Sequence, residues 1–190
     1  SSPTQRSGVQ LLAVGSLTEE KGYDVLLSAL PTIASSHPDV ELILIGDGPL
    51  KASLQALAND LNVASRVRFL GVVADVRPWL RAATLLVAPS LSEGLGMAVV
   101  EAMAMECPVV ASRVGGLVEV VVHGETGFLV EAGHVPLLAQ QVVELLSCPE
   151  KRARLGYNGS RHVQANFASD RPIAQLQELY ETLCQESLKR

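Results

Sequence analysis

Short apolar runs alternate with longer stretches of helical periodicity along the whole chain. The apolar runs predict strands at 9–14, 40–45, 67–70, 85–88, 109–111 and 127–130. Between and after them, the spacing of apolar positions predicts helices at 22–35, 50–61, 76–83, 96–105, 135–147, 149–165 and 170–187. We expect Pro78 to interrupt the third of these helices early, because proline lacks an N–H group.

This alternation predicts an α/β fold, a Rossmann-like doubly wound parallel sheet of about six strands with helices on both faces. Apolar residues make up 48% of the chain but aromatic residues only 4%. That composition suits buried parallel strands built from Val, Leu, Ile and Ala. Sheets of this kind bind ligands beyond the carboxyl ends of their strands. The loops that follow residues 14, 45, 70 and 88 should therefore gather at one edge.

Composition and charge narrow the possible function classes. The net charge is −5 and no basic cluster is longer than 151–154, which argues against nucleic acid as a partner. Three scattered cysteines and four histidines show neither disulfide nor metal-ligand spacing, so we expect a reducing, cytoplasmic environment and no metal. No apolar run reaches membrane-spanning length. The first strand is not followed by G-x-G-x-x-G, which argues against a nicotinamide-dependent oxidoreductase.

The segment 92–105 carries the candidate chemistry. It links a strand to a helix, and the unpaired N–H groups at a helix N-terminus form a natural phosphate site. Gly94 and Gly96 let a ligand approach the backbone closely because they have no Cβ. Glu93 lies in the loop, whereas Glu101 falls inside the helix among apolar neighbours, where a carboxylate is costly without a partner. Two carboxylates beside a phosphate-binding loop suit the hydroxyl groups of a nucleotide sugar.

The pair Glu93 and Glu101, with seven residues between them, resembles the signature of retaining glycosyltransferases of the GT-B fold, family four. The resemblance implies that Glu93 contacts the transferred sugar and that Glu101 holds the ribose hydroxyls. It also implies that the diphosphate lies against the backbone N–H groups of Met97 and Ala98. The remaining loop positions of the implied substrate site are Gly94, Leu95 and Gly96.

The loop at 15–22 resembles a second family segment, Gly-Arg-x-x-x-x-Lys-Gly, whose Arg and Lys neutralise the diphosphate. Gly15 and Lys21 match this segment, but Ser16 stands where the family has Arg. A lone Lys before a helix is more often a solvated surface charge, so its role in binding here depends on the resemblance. The departure at Ser16 implies weak binding of the nucleotide sugar unless another cation substitutes.

Two further loops resemble family segments, but neither identifies a side chain that binds a specific part of the ligand. After the third strand, the resemblance places the nucleobase near Val72, where family members read it through backbone groups, so the base stays open. The segment 114–119 resembles the family's Val-Gly-Gly-x-x-Glu turn, and its simplest interpretation is a tight turn before a short helix. Arg113 beside it faces either the diphosphate or solvent, and solvent is the simpler interpretation.

The resemblance covers nearly the whole chain and matches only the C-terminal half of such enzymes. We interpret residues 1–8 as a linker or an artificial chain end and 9–169 as the Rossmann-like donor-binding domain. A helix at 170–190 is expected to pack toward a missing N-terminal half that holds an unknown acceptor. The implied reaction transfers a hexose from a nucleoside diphosphate sugar with retention, with Glu93 and Lys21 as catalytic residues and no cofactor. The isolated half should be weak or inactive.

Two other function classes remain open. One is a stand-alone subunit that binds nucleotide sugar and dimerises through the C-terminal helix, which a mass above that of the monomer would favour. The other is a nucleotide-sugar isomerase or hydrolase on the same fold, which turnover by this chain alone would favour. Peripheral association with a membrane through the missing half is also left open.

Overall fold

A single parallel sheet organises residues 8–167, the part of the chain that the computed structural model describes. Its strands are β1 (Gln10–Val14), β2 (Glu41–Ile45), β3 (Val67–Gly71), β4 (Leu85–Ala88), β5 (Val109–Ser112) and β6 (Phe128–Val130). They are all parallel and lie in the order β3-β2-β1-β4-β5-β6. This order is that of a doubly wound Rossmann-like sheet, which confirms the predicted fold class.

Seven α-helices accompany the described strands. They are α1 (Tyr23–Ser36), α2 (Lys51–Asp60), α3 (Arg77–Ala82), α4 (Met97–Ala104), α5 (Leu117–Val120), α6 (Val135–Ser147) and α7 (Pro149–Asn166). Short 3-10 turns at Glu19–Lys21 and Ala64–Arg66 precede α1 and β3. The helices predicted from periodicity within these residues are confirmed, with ends that differ by a residue. Residues 1–7 of the predicted N-terminal linker and the predicted helix at 170–187 lie outside the described residues.

The sheet separates two apolar layers, because successive side chains of a strand point to opposite faces. Leu11 and Leu42 belong to a core cluster on the face covered by α1, α2 and α6. Leu12 and Ile43, their neighbours in sequence, belong to the cluster formed with α3, α4 and α5. The inner strands are therefore buried on both faces, which explains why they read as continuous apolar runs, whereas the edge strand β3 is half-buried along its length.

Two prolines show how position decides the effect of this residue on a helix. Pro78 lies in the first turn of α3, where its missing N–H would have no partner in any case. The expectation that it interrupts the helix was wrong, since α3 begins around it. Pro31 lies inside α1, where it removes one hydrogen bond from the helix.

Candidate functional site

A cavity of about 400 Å³ opens at the carboxyl edge of the sheet, next to the ends of β1 and β4. These two strands are neighbours at the centre of the sheet, where the chain changes the direction in which it adds strands. Ligands of doubly wound sheets bind at this switch point. The predicted site residues that line the cavity are Gly15, Ser16, Lys21, Glu93, Leu95, Gly96, Met97, Ala98 and Glu101.

An ion pair joins the two loops that form the cavity. Nζ of Lys21 lies 2.6 Å from Oε2 of Glu93, and their side chains are 25% and 15% exposed. The hydroxyl of Ser90 donates to the same carboxylate oxygen at 3.2 Å. The loop backbones are also joined, because the N–H groups of Leu91 and Ser92 donate to the carbonyl of Glu20 at 2.7 and 3.2 Å. The geometry therefore holds the carboxylate and the cation side by side at the cavity wall.

The turn after β5 supports the loop that carries Glu93. The N–H of Gly116 donates to the carbonyl of Gly94 at 2.8 Å. Gly115 has a φ of +45°, and an ideal Cβ there would lie 1.8 Å from the carbonyl oxygen of Glu93. A side chain at 115 would push the Glu93 loop away. The turn therefore supports the site directly, because its glycines let its backbone pack against the backbone of the loop that carries Glu93.

The N-terminus of α4 points its unpaired N–H groups at the cavity. Gly96 caps the helix with a φ of +74°, and a Cβ there would lie 2.4 Å from Cδ2 of Leu117. Its carbonyl accepts the N–H groups of Val99 and Val100. Within residues 8–167, the N–H groups of Met97 and Ala98 have no acceptor. Free N–H groups and the helix dipole together favour an anion at this end of the helix.

Glu101 lies on the exposed side of α4, so the expectation that apolar neighbours enclose its carboxylate was wrong. It lines the main cavity and also a second one of about 350 Å³, whose other lining residues are Ala74, Asp75, Val76, Arg77, Ala104 and Met105. The pKa of Arg77 is raised, mainly by its hydrogen bond to Asp75 and less by the charge of Glu101. Glu101 therefore stands between the two cavities with a cation nearby.

Two predicted site residues do not line either cavity. Val72 follows β3 and is 81% exposed, and it is absent from the walls of both cavities. Gly94 contributes through its carbonyl, which holds the turn after β5, while the space around its Cα is open. Arg113 is exposed, which is the orientation that the simpler interpretation gave it.

Sequence reasoning missed two polar residues in the cavity wall, Tyr23 and Ser90. Tyr23 is the first residue of α1 and only 3% exposed. Burial raises the pKa of its hydroxyl, and the charge of Glu93 raises it further. Ser90 is 2% exposed and binds Glu93. Its place just after β4, at the edge where ligands bind, was a signal available in the sequence, whereas Tyr23 reads as an ordinary apolar position of a helix.

These features define a Rossmann-like α/β domain with its cavity at the switch point of the sheet. The chain belongs to the family described as glycosyl transferases group 1, whose model matches residues 8–148. A lipopolysaccharide core biosynthesis mannosyltransferase, LpcC of Rhizobium leguminosarum bv. viciae, is 34% identical over 176 residues, which cover 89% of this chain and 49% of that protein.

Solved structures support this family and show that the chain matches the C-terminal half of its members. The C-terminal domain of a glycosyl transferase group 1 family protein (LpcC) from Francisella tularensis is similar with a TM-score of 0.78 and 26% identity. The match covers 85% of this chain and 87% of that domain. Anabaena Alr3699/HepE in complex with UDP is similar with a TM-score of 0.83 and 29% identity, over 94% of this chain and 49% of that one.

The chain spans about half the length of the curated relatives it matches. It corresponds to the C-terminal half of GT-B glycosyltransferases, which confirms the predicted family and domain. None of the helices described within 8–167 is both long and apolar enough to cross a membrane. In the same residues, no three His, Cys, Asp or Glu side chains are grouped as metal ligands would be.

Proposed function

We propose that this chain is the sugar-donor half of a retaining glycosyltransferase that moves a hexose from a nucleoside diphosphate sugar to an acceptor held by a second half. The observation that carries the proposal is the shared cavity of Lys21, Glu93, the N-terminus of α4 and Glu101. A cation and free N–H groups suit a diphosphate, and the two carboxylates suit hydroxyl groups. The Anabaena relative, whose structure is a complex with UDP, supports a nucleoside diphosphate as the ligand.

The diphosphate would lie between Lys21 and the first turn of α4. The ammonium group of Lys21 and the N–H groups of Met97 and Ala98 would stabilise the negative charge that grows on the leaving diphosphate. Gly15 and Gly96, which line the same cavity, allow phosphate oxygens close to the backbone. This electrostatic role makes Lys21 a catalytic residue in the proposal, and it requires no metal ion.

The two carboxylates would divide the remaining hydroxyl groups between them. Glu93, held beside Lys21, would orient the hydroxyls of the hexose next to the diphosphate. Glu101 is four residues beyond Met97 on α4, about 6 Å along the helix axis, and would accept from the ribose hydroxyls. The base would then extend out of the main cavity toward the loop after β3, where Val72 is exposed and its backbone is open to contact.

A calorimetric titration of the 190-residue chain with UDP, GDP and ADP tests the proposal. We expect one of the three to bind, and Glu101→Ala to weaken that binding by on the order of tenfold, the value of a hydrogen bond to a charged group. Glu125→Ala is the matched control, because Glu125 is exposed in the turn before β6 and lines neither cavity. Failure of all three nucleotides to bind the wild-type chain contradicts the proposal.

A further inference from the structure

The hydroxyl of Tyr23 is placed at the cavity although the rest of this residue is buried. Tyr23 is 3% exposed, and its ring packs in the core cluster beneath α1. Its Oη would lie 2.9 Å from an ideal Cβ on Gly15. Gly15 and Lys21 line the cavity together with Tyr23. The hydroxyl therefore belongs to the same part of the cavity wall as the loop after β1.

This hydroxyl makes no hydrogen bond to another protein group within residues 8–167. It is not among the fully buried unpaired atoms of those residues, so the oxygen of this otherwise buried residue is open to the cavity and free to donate a hydrogen bond. A phenylalanine would fill the same space in the core equally well. Packing therefore does not require the oxygen of Tyr23, and a ligand in the cavity can accept its hydrogen bond.

The cavity wall carries few positive charges with which to bind an anionic ligand. Lys21 is the one Lys or Arg among the described residues that line the cavity, and it is already paired with Glu93. Ser16, which lies in the same loop as Lys21, is neutral and exposed. With Glu93 and Glu101 both in the wall, an anionic ligand meets more negative than positive charge. Neutral hydrogen-bond donors must supply part of its binding.

We propose that Tyr23 Oη donates a hydrogen bond to the distal phosphate of the nucleoside diphosphate, beside Lys21. This inference rests on the proposed function, since it assigns a further binding residue to the same ligand. A tyrosine phenol is protonated near neutral pH, and burial raises the pKa of Tyr23 further, so it is a hydrogen-bond donor. A protonated phenol binds an anion without adding charge to the core.

Tyr23→Phe removes the oxygen alone, and calorimetry with the nucleoside diphosphate and monophosphate of the bound base measures its effect. We expect the diphosphate to bind about tenfold more weakly, the value of a hydrogen bond to a charged group. The monophosphate, which has no distal phosphate, should bind equally well to both chains. The melting temperature should be unchanged or higher. Tyr157→Phe is the control, because Tyr157 is 55% exposed on α7.

Each other outcome overturns the assignment in a distinguishable way. Equal diphosphate affinity in the wild type and Tyr23→Phe means that the hydroxyl does not touch the ligand. An equal loss for both nucleotides, or a lower melting temperature with weaker binding, means that Tyr23 acts through packing. If the wild-type chain binds no nucleoside diphosphate, the proposed function fails together with this assignment. If the wild-type chain binds the nucleoside diphosphate and Tyr23→Phe binds it with the same affinity, the assignment of Tyr23 is rejected and the proposed function stands.

Discussion

Lys21 Nζ lies 2.6 Å from Glu93 Oε2 although the two residues are 72 positions apart in the sequence. One residue follows β1 and the other follows β4, and these strands are adjacent in the sheet. The fold therefore neutralises the one cation of the described cavity wall with a carboxylate that the proposed reaction uses for the sugar. Any phosphate that binds Lys21 must compete with Glu93 or share the lysine with it.

The ion pair predicts that Glu93→Gln tightens the binding of a nucleoside diphosphate that carries no sugar. Removing an adjacent charge at a partly exposed site is worth about 1 kcal/mol, or about fivefold in affinity. Calorimetry at low ionic strength measures the change, and added salt should reduce it. Glu19→Gln removes the same charge from the Lys21 loop outside the cavity and should change little. Weaker diphosphate binding by Glu93→Gln would show that Glu93 orients Lys21 for the ligand instead.

Ser16 leads to a second prediction at the same wall. It lines the cavity at the position where the family segment that this loop resembles has Arg, and within residues 8–167 its hydroxyl is paired with that of Thr18, at 3.4 Å. We expect Ser16→Arg to tighten nucleoside diphosphate binding by about tenfold, because a charge-assisted hydrogen bond is worth roughly 1.5–3 kcal/mol. Ser16→Gln adds comparable length without charge and should not reproduce the gain. An unchanged or larger dissociation constant for Ser16→Arg in titration calorimetry contradicts the prediction.

The contact between Gly115 and Glu93 predicts a coupled loss of stability and binding. Gly115→Ala would place a Cβ 1.8 Å from the Glu93 carbonyl in a residue with φ of +45°. We expect a loss of about 2 kcal/mol or more in unfolding free energy, seen as a lower melting temperature. Binding of the nucleotide sugar should weaken as well, because the Glu93 loop has to move.

Gly124→Ala is the control for Gly115→Ala. Gly124 has a φ of +80°, but nothing lies within 4 Å of an ideal Cβ. This variant should lose only the cost of a left-handed conformation, about 1 kcal/mol, and should keep its affinity for the nucleotide sugar. Equal losses of stability and affinity in both variants would refute a specific role of Gly115 at the Glu93 loop.

The sequence could predict the sheet and the loop-to-helix setting of Glu93 and Glu101 because both follow from local pattern. The exposure of Glu101 was missed because the sequence pattern of α4 was not divided into a buried side and an exposed side. Val99, Ala102 and Met103 are buried at positions i, i+3 and i+4, as on the core side of a helix. Met97 is 55% exposed and lies four residues before Glu101, so the two share the outer side.

Other parts of the site depend on contacts between distant segments and could not be read locally. The pairing of Lys21 with Glu93 requires the adjacency of β1 and β4. The support of Glu93 by Gly115 requires β5 to follow β4 in the sheet. Family resemblance named Lys21 and Glu93 as site residues, but it did not indicate that they bind each other.

The turn that ends α4 gives a last prediction, which concerns stability alone. Glu106 has a φ of +58°, a conformation that costs a residue with a Cβ about 1–2 kcal/mol. Its side chain is exposed, and an ideal Cβ on Gly156 of α7 would lie 2.1 Å from its carbonyl oxygen, so the turn is fixed by packing. We expect Glu106→Gly to stabilise the fold by about 0.5–1 kcal/mol after the entropy of glycine in the unfolded chain is subtracted. Thermal unfolding should show a rise of roughly 1–4 °C. Glu106→Ala removes the same charge but keeps the Cβ, so an equal gain in both variants would assign the effect to charge instead of backbone conformation.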